Sequence, residues 1–523
     1  MKKNLLALSI AAMVGGLSGV ANAAVAVDTT GGGRLISNAV QFGNLAVPAA
    51  AVAANFLTPT STGIGHILFV PYFSTQGANM TLLNLVNTDQ VNGKAVKLRF
   101  RGAANSDDLF DISIFLSPGD VWAANVSANG DVSALSTLDT SCTLPSAKDI
   151  QESFGKFSVN RVLNGAAEQT REGYVEILNM ADITPGSALF TATKHVAGKA
   201  PCTQSVMDQQ AQPLTAGGPN DPVARGYSWP TGGLTANWTI VNTGTKASFS
   251  GEAVALRATP TLTIDQPGAA NLVFSPQNGE AVSGAAVQAL TADPLLKTGV
   301  VRAANYDFPD LSTPYTTPAI VGGGAPETQA NALAAVLATY SISNEFATDA
   351  IATFSTDWVF SMPTRRYAVA LNYANGTIVG HGTDGYVATY AGGVASNYFS
   401  ADQRLGNASL NKDKNRICID ANTLKAFDRE EQSKTTFVIS PGDTLKFCGE
   451  TSVLSFNSKP SLLGATIAAQ NIPTSFVDGW MRINTTGLGL GLPVMGYAVS
   501  KAVGPDGGNF GGTWMHRTQR VAN

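Results

Sequence analysis

The chain has 523 residues, 44% of them apolar and 13% charged, with a formal net charge of −4. That length exceeds one ordinary core and points to two or more domains, and the apolar share excludes an intrinsically disordered chain. The weakly acidic balance argues against nucleic acid or an anionic lipid surface as the main partner.

The N-terminus reads MKKNLLALSIAAMVGGLSGVANA. Lys2 and Lys3 precede an apolar run that starts at Leu5, and Ala21-Asn22-Ala23 places small residues where a signal peptidase cuts. Residues 1–23 are therefore expected to be a cleavable signal peptide, which predicts a secreted or cell-surface protein. A membrane anchor is disfavoured, because the run is short and carries three glycines, whereas a spanning helix needs about 20 apolar residues. Ala24 rather than Cys follows the cut, so the lipoprotein pattern does not apply. Cleavage leaves 31 basic against 37 acidic residues, a charge of −6.

Residues 24–60 form an Ala/Gly-rich lead segment. From residue 61 the pattern turns to strands, and 61–225 is expected to be a first β-sandwich module. The run GHILFVPYF is β-branched and aromatic. In KAVKLRFRG, Val96, Leu98 and Phe100 share one face and Lys97, Arg99 and Arg101 the other. Such period-two alternation marks antiparallel strands over a core. Val91-Asn92-Gly93 signals a hairpin turn before it. DISIFL then leads into Ser117-Pro118-Gly119-Asp120, a tight turn: Pro118 fixes φ, Gly119 accepts positive φ, and Asp120 bonds nearby backbone.

The same four residues recur at Ser440–Asp443, and a degraded copy follows at Ser275-Pro276. LVNTD at Leu85 lies 32 residues before Ser117, and IVNTG at Ile240 lies 35 before Ser275. The two spacings raise a module duplication against chance recurrence of common β-protein turns. Helices are expected to be few. The best is Thr328–Ile342, with Leu333, Val336, Leu337 and Tyr340 at helical spacing; weaker ones start at Ser146 and Cys202. A Gly/Pro-dense stretch from Pro213 to Gly233 reads as a module boundary, so 226–523 is taken as a second β-rich region of one or two modules. In it, GWMRINTT and LPVMGYAV are paired as a hairpin, and TDWVFSMPTRRYAVALNY places two apolar runs around a Pro-containing turn. The predicted fold is mainly β: two or more antiparallel β-sandwich (immunoglobulin-like) modules with a few short helices.

Cys142, Cys202, Cys418 and Cys448 are an even count in an exported chain, which suggests two disulfides. Three pairings exist; the favoured one joins nearest neighbours, Cys142–Cys202 and Cys418–Cys448, each worth roughly 3–4 kcal/mol in the chain-entropy model. No motif for nucleophilic, metallohydrolase or nucleotide chemistry is found, so no catalytic residue is assigned and the protein is expected not to be an enzyme. His66 reads as structural, His195 as a surface residue, His516 as a surface or interface residue. His381, with Asp384 three residues on, is the histidine with most claim to a ligand role. Asp107, Asp108 and Asp111 are the candidate calcium ligands, set against solvated loop carboxylates; no other cofactor is expected. Asp413, Asn415 and Asp420 are a poorer set, with three cations interspersed. FDREE, Phe427–Glu431, suits ion pairs. Trp122, Trp238, Trp358 and Trp480 sit in strand patterns and are assigned to the core; Trp229 and Trp514 lie in Gly/Pro-rich stretches and are assigned to the surface.

MTLLNLVNTD, TDWVFSMPTRR, FDREE and the ending GWMRI…LPVMGYAV…GGTWMHR resemble segments of exported proteobacterial cell-surface proteins, mostly uncharacterised and some described as surface-layer proteins. The resemblance covers scattered segments between Gly65 and Arg517 and carries over no functional residue. It implies an extracellular, self-associating role. The expected function is thus a secreted structural protein of the surface-layer or extracellular-matrix type, partnered by copies of itself and by cell-surface polysaccharide or lipopolysaccharide. The alternatives are an extracellular protein binding a glycan or small ligand, an outer-membrane β-barrel, and a hydrolase without a known motif. The barrel is disfavoured by the non-aromatic end Val521-Ala522-Asn523.

Overall fold

The computed structural model describes residues 56–159, 162, 165–212, 214, 218–259, 270, 333–348, 353–365, 369–372, 377–380, 409–411, 416–420, 424–434, 446–474, 476–485, 491–504 and 508–520. The expected signal peptide, most of the lead segment, His381 with Asp384, Asp413, Asn415 and the second and third Ser-Pro turns lie outside these residues.

The protein is mainly β. The first half holds β1 (Phe56–Pro59), β2 (Ile67–Ser74), β3 (Asn79–Asn87), β4 (Gly93–Gly102), β5 (Asp108–Leu116), β6 (Val121–Asn129), β7 (Val132–Ser136) and β8 (Cys142–Leu144). It continues with β9 (Glu172–Ile183), β10 (Tyr227–Ser228), β11 (Leu234–Asn242), β12 (Ala247–Glu252) and β13 (Val254–Thr259). Short helices α1 (Ala147–Asp149), α2 (Ala188–Thr193) and α3 (Gln204–Gln210) sit between strands.

The second half holds β14 (Ala338–Thr339), β15 (Ser341–Ala347), β16 (Ser355–Ser361), β17 (Val369–Asn372), β18 (Thr377–Gly380), β19 (Ser409–Asn411), β20 (Arg416–Asp420), β21 (Leu424–Phe427) and β22 (Ser433–Lys434). Then come β23 (Lys446–Cys448), β24 (Thr451–Phe456), β25 (Ala469–Ile472), β26 (Asp478–Asn484), β27 (Leu492–Pro493), β28 (Met495–Val503), β29 (Asn509–Met515) and β30 (Arg517–Gln519).

Among the described residues, two sheets make up the first half. One runs β1-β13-β2-β9-β4-β5-β8 with β10 added on β9; the other runs β12-β11-β3-β6-β7. Alternation explains how they meet. Leu68, Val70, Val96, Leu98, Ile112 and Ile114 of the first sheet share one apolar cluster with Leu83, Leu85, Trp122, Val126, Trp238 and Ile240 of the second. In the second half, β22-β21-β26-β15-β30 and β25-β24-β16-β28-β29 form the two larger sheets. Their cluster includes Ile342, Phe346, Met481 and Ile483 from one and Trp358, Phe360, Leu454 and Ala498 from the other.

The sheet of β16 buries both faces. While Trp358, Leu454 and Ala498 face the second-half cluster, the alternate residues Val359, Val453, Tyr497 and Val499 join the first-half cluster. Trp238 of β11 lies 4.5 Å from Tyr497, ring centre to ring centre. One apolar core therefore continues across the two halves.

Several expectations are corrected. The boundary at 225/226 fails, because β10 to β13 pair with β9, β3, β2 and β1 and belong to the first-half sheets. The lead segment ends earlier than residue 60, since β1 pairs with β13. The two VNT stretches are not equivalents from duplicated modules: they are neighbours, with β3 and β11 antiparallel in one sheet. Each asparagine caps the end of its strand through its side chain, Asn87 Oδ1 accepting from Asp89 N–H at 3.1 Å in an Asx turn and Asn242 Oδ1 from Thr245 N–H at 2.8 Å.

The hairpins expected at Val91–Gly93 and between GWMRINTT and LPVMGYAV are not hairpins, because β3 and β4, like β26 and β28, lie in different sheets. The two runs around Met362-Pro363-Thr364 also part, β16 to one sheet and β17 to a pair with β18. The expected helix 328–342 is helical at 333–337, and from Ala338 the chain is strand, paired to β27, β26 and β30. Sheet pairing there overrides alanine's helical preference. The weaker helices appear as α1 and α3.

The first Ser-Pro-Gly-Asp turn carries the chain from one first-half sheet to the other, between β5 and β6. Gly119 has φ 72°, and its N–H donates to Asp89 O at 3.0 Å. Asp120 accepts from Ser117 N–H at 3.2 Å and Val121 N–H at 2.8 Å. A second glycine matters for close approach. A Cβ on Gly173 would land on the Arg101 carbonyl oxygen and 2.8 Å from the Phe73 ring. Gly173→Ala is expected to destabilise the protein by about 3 kcal/mol, at the upper end of overpacking costs, measured as a lowered denaturation midpoint.

Candidate functional site

A densely bonded polar group lies where the halves meet. Glu172 starts β9 and is fully buried. Its Oε1 accepts from Thr466 N–H at 2.7 Å, Thr466 Oγ1 at 2.8 Å, Ile467 N–H at 3.0 Å and Gln76 Nε2 at 2.8 Å. Its Oε2 accepts from Ala468 N–H at 3.1 Å and Tyr72 OH at 3.2 Å. A carboxylate of the first half thus ties the backbone of a second-half loop. From the other side, Arg416 donates to Ile467 O at 2.6 Å and Ala469 O at 3.1 Å. Burial lowers the Arg416 guanidinium to about 10, against the opposing pull of Glu172. The pair holds both the N–H and C=O groups of one segment, which an apolar contact could not do.

A second loop docks beside it. Ala103 donates to Glu172 O at 2.9 Å, and Ala103 O accepts from Glu450 N–H at 2.7 Å and Thr451 N–H at 3.1 Å. Arg365 donates to Gly449 O at 2.5 Å and Phe447 O at 3.0 Å. This segment carries Cys448, bonded to Cys418, while Cys142–Cys202 ties β8 to the start of α3. Two disulfides fit an oxidising, extracytoplasmic environment.

Asp357 faces the same seam from β16. Its Oδ2 accepts from Ser461 Oγ at 2.6 Å and Leu463 N–H at 3.0 Å. Burial, outweighing those bonds, pushes its carboxyl up to about 6.

The outer face of β4 is not solvated, as its polar residues had suggested. Lys97, Arg99 and Arg101 are buried, alongside Asp108, Asp111 and Glu176. Asp111 lies 3.5 Å from Lys97 Nζ and 3.4 Å from Arg99 Nε. Arg101 lies 3.7 Å from Asp108 and 3.4 Å from Glu176. Burial and the neighbouring Asp108 raise the Asp111 carboxyl above its usual range. Asp107, also buried, has its backbone O accepting from Gly102 N–H at 2.8 Å. The structure thus brings Asp108 and Asp111 onto one face and surrounds them with cations. Among the described residues, no group of three or more His, Cys, Asp or Glu is placed to hold a metal ion.

The histidines divide. His66 is buried, and its Nδ1 accepts from Ala258 N–H at 3.1 Å. His195 lies with Nδ1 3.5 Å from Asp120 Oδ2 and Nε2 3.2 Å from Thr140 Oγ1. That order mimics a carboxylate–imidazole–hydroxyl relay, but the Thr140 hydroxyl donates to Gly198 O at 3.1 Å, so its proton is already engaged. The arrangement ties the loop before β8 to the loop after α2. His516, expected at a surface or interface, is buried: it stacks on Phe360 at 4.7 Å, with Nε2–H donating to Val359 O at 2.9 Å. Burial lowers it to about 3, so it is a neutral core residue.

Of the tryptophans, Trp122, Trp238 and Trp358 are core as expected. Trp229 is buried instead of exposed, and Trp480 is 39% exposed instead of buried. Trp514 is exposed as expected. No known protein-family model matches the chain, and no curated protein or solved structure is significantly similar to it.

Glu172→Gln would turn an NH2 group toward backbone donors and is expected to cost about 3 kcal/mol, the scale of breaking a buried charged contact, read by chemical denaturation. Asp357 gives a pH signature. Below pH ~4 it is protonated in both folded and unfolded chains; between ~4 and ~6 only the unfolded chain releases the proton, so stability falls as pH rises; above ~6 the loss is constant. Asp357→Asn keeps an oxygen for Ser461 and Leu463 without the charge. Its melting temperature should gain on the wild type from pH 4 to 6.5, and a difference constant with pH would contradict the assignment.

Proposed function

We propose that the protein is an exported structural component of a cell surface, a rigid block of fused β-sandwich modules that assembles with copies of itself in a surface-layer or matrix-type array. The two disulfides and the signal-like N-terminus support export. The continuous core and the doubly clamped seam support rigidity, which a lattice block needs.

One observation carries the self-association. Phe510, Trp514 and Met515 are 65%, 53% and 44% exposed, and all lie on β29, the last strand of its sheet. Phe510 and Trp514 share one face of this strand and Met515 lies on the other; exposed apolar side chains on an edge strand are a liability unless another chain covers them. A second copy, with the same surface patch, is the occupant this reading assigns. Among the described residues the strand orders are open rather than closed, which favours this reading over a closed membrane barrel.

Sedimentation velocity and negative-stain imaging of the chain lacking residues 1–23 test it. Concentration-dependent higher-order species are expected, and the double substitution Phe510→Ser/Trp514→Ser should reduce them while leaving the circular dichroism spectrum unchanged. A wild-type chain that stays monomeric at every concentration would overturn the proposal.

A further inference from the structure

The outward face of the sheet β21-β26-β15-β30 carries an uncommon combination. Lys425 of β21 is directly opposite Arg482 of β26, and both Arg482 and Arg517 are directly opposite Ser343 of β15. Like charges facing each other across strands are destabilising. Among the described residues the adjoining contacts are weak: Arg482 donates to the neutral Gln519 at 2.8 Å, and Arg517 has a 3.8 Å contact with the exposed Glu345. The row next to these cations is aromatic. Trp480 stacks on Phe427 at 4.1 Å and 7°, and Lys425 Nζ stands 4.7 Å from the Phe427 ring centre.

Phe427 and Glu345 are the cross-strand neighbours of Trp480 on either side. Since one indole face is taken by Phe427, the other is left to the β15 side, where Glu345 contacts Arg517, with Arg482 two residues along the same strand. A flat apolar ring face beside guanidinium groups matches a ligand that offers a ring to stack and an anion to pair. We propose that this face binds an acidic polysaccharide: a sugar ring against Trp480, its carboxylate or phosphate against Arg482, with Lys425 and Arg517 meeting neighbouring charges along the polymer. The choice of saccharide over other polyanions rests on the extracellular placement proposed above. It does not rest on self-association, because β29 belongs to a different sheet.

Affinity electrophoresis in gels containing polygalacturonate, a phosphorylated mannan, neutral dextran or poly-glutamate tests this with the chain lacking residues 1–23. Retardation by one or both acidic polysaccharides is expected, weakening with salt, and the two gels distinguish carboxylate from phosphate as the anion. Trp480→Ala, Arg482→Ser and Lys425→Ser should each weaken binding, by at least about tenfold for the first two. The two cation changes are at exposed or half-buried sites and keep the test informative should the Trp480 variant misfold. The Phe510→Ser/Trp514→Ser variant should bind like wild type, so a failure of assembly and a failure of binding are told apart. No retardation by either acidic polysaccharide, equal retardation by dextran, equal retardation by poly-glutamate, or unchanged binding by Arg482→Ser would each overturn the proposal.

Discussion

A single buried carboxylate organises this protein. Glu172 is taken out of water, which costs several kcal/mol for an ion, and the structure answers with donors from Thr466, Ile467, Ala468, Gln76 and Tyr72. Without them the charge would be untenable there. Because three of these donors are backbone groups of the second half, satisfying the charge requires the halves to be together. The apolar contact of Trp238 with Tyr497 adds area, but area alone is non-directional. The carboxylate supplies register: it fixes which residues of the loop meet the first half, and Arg416 fixes them from behind.

The same logic recurs on the outer face of β4. A row of Arg99 between Asp111 and Glu176, and of Arg101 between Asp108 and Tyr174, crosses three strands. Alternating signs let a buried sheet face carry charge, and the register of β4 with β5 and β9 puts the signs opposite each other. A one-residue slip would set these ions among the leucines and phenylalanines of the other face. The exposed face of β26 is the contrast, because Lys425 and Arg482 there face each other with the same sign. Opposite signs meet across the strands of the buried face, whereas Lys425 and Arg482 meet with the same sign on the exposed one.

Most strands were legible in the sequence, though not the one from Ala338, and the apolar face of β4 was legible because period-two alternation separates the two faces of a strand. Pairing partners were not. Val91-Asn92-Gly93 read as a hairpin turn, yet Asp89 caps this stretch and turns the chain from one sheet to the other. Local turn residues set the bend; which sheet the next strand joins depends on its pairing with β5 and with the distant β9. The burial of Lys97, Arg99 and Arg101 was illegible for the same reason, since their countercharges come from β5 and β9. Glu172 carried no signal at all. It sits in the unremarked stretch QTREGY, and its role depends on a loop nearly three hundred residues later. Trp480 and Trp229 exchanged places because strand membership does not say which face is covered.

The account stands or falls on whether the two halves act as one body through the Glu172 seam. Native-state hydrogen exchange at the Thr466, Ile467 and Ala468 amides measures this most directly. These amides sit in an irregular loop, so protection there can come only from the seam. Exchange as slow as that of the central strands β9 and β16 is the expected result. Exchange at the rate of a solvated loop, with β9 and β16 still protected, would contradict the account.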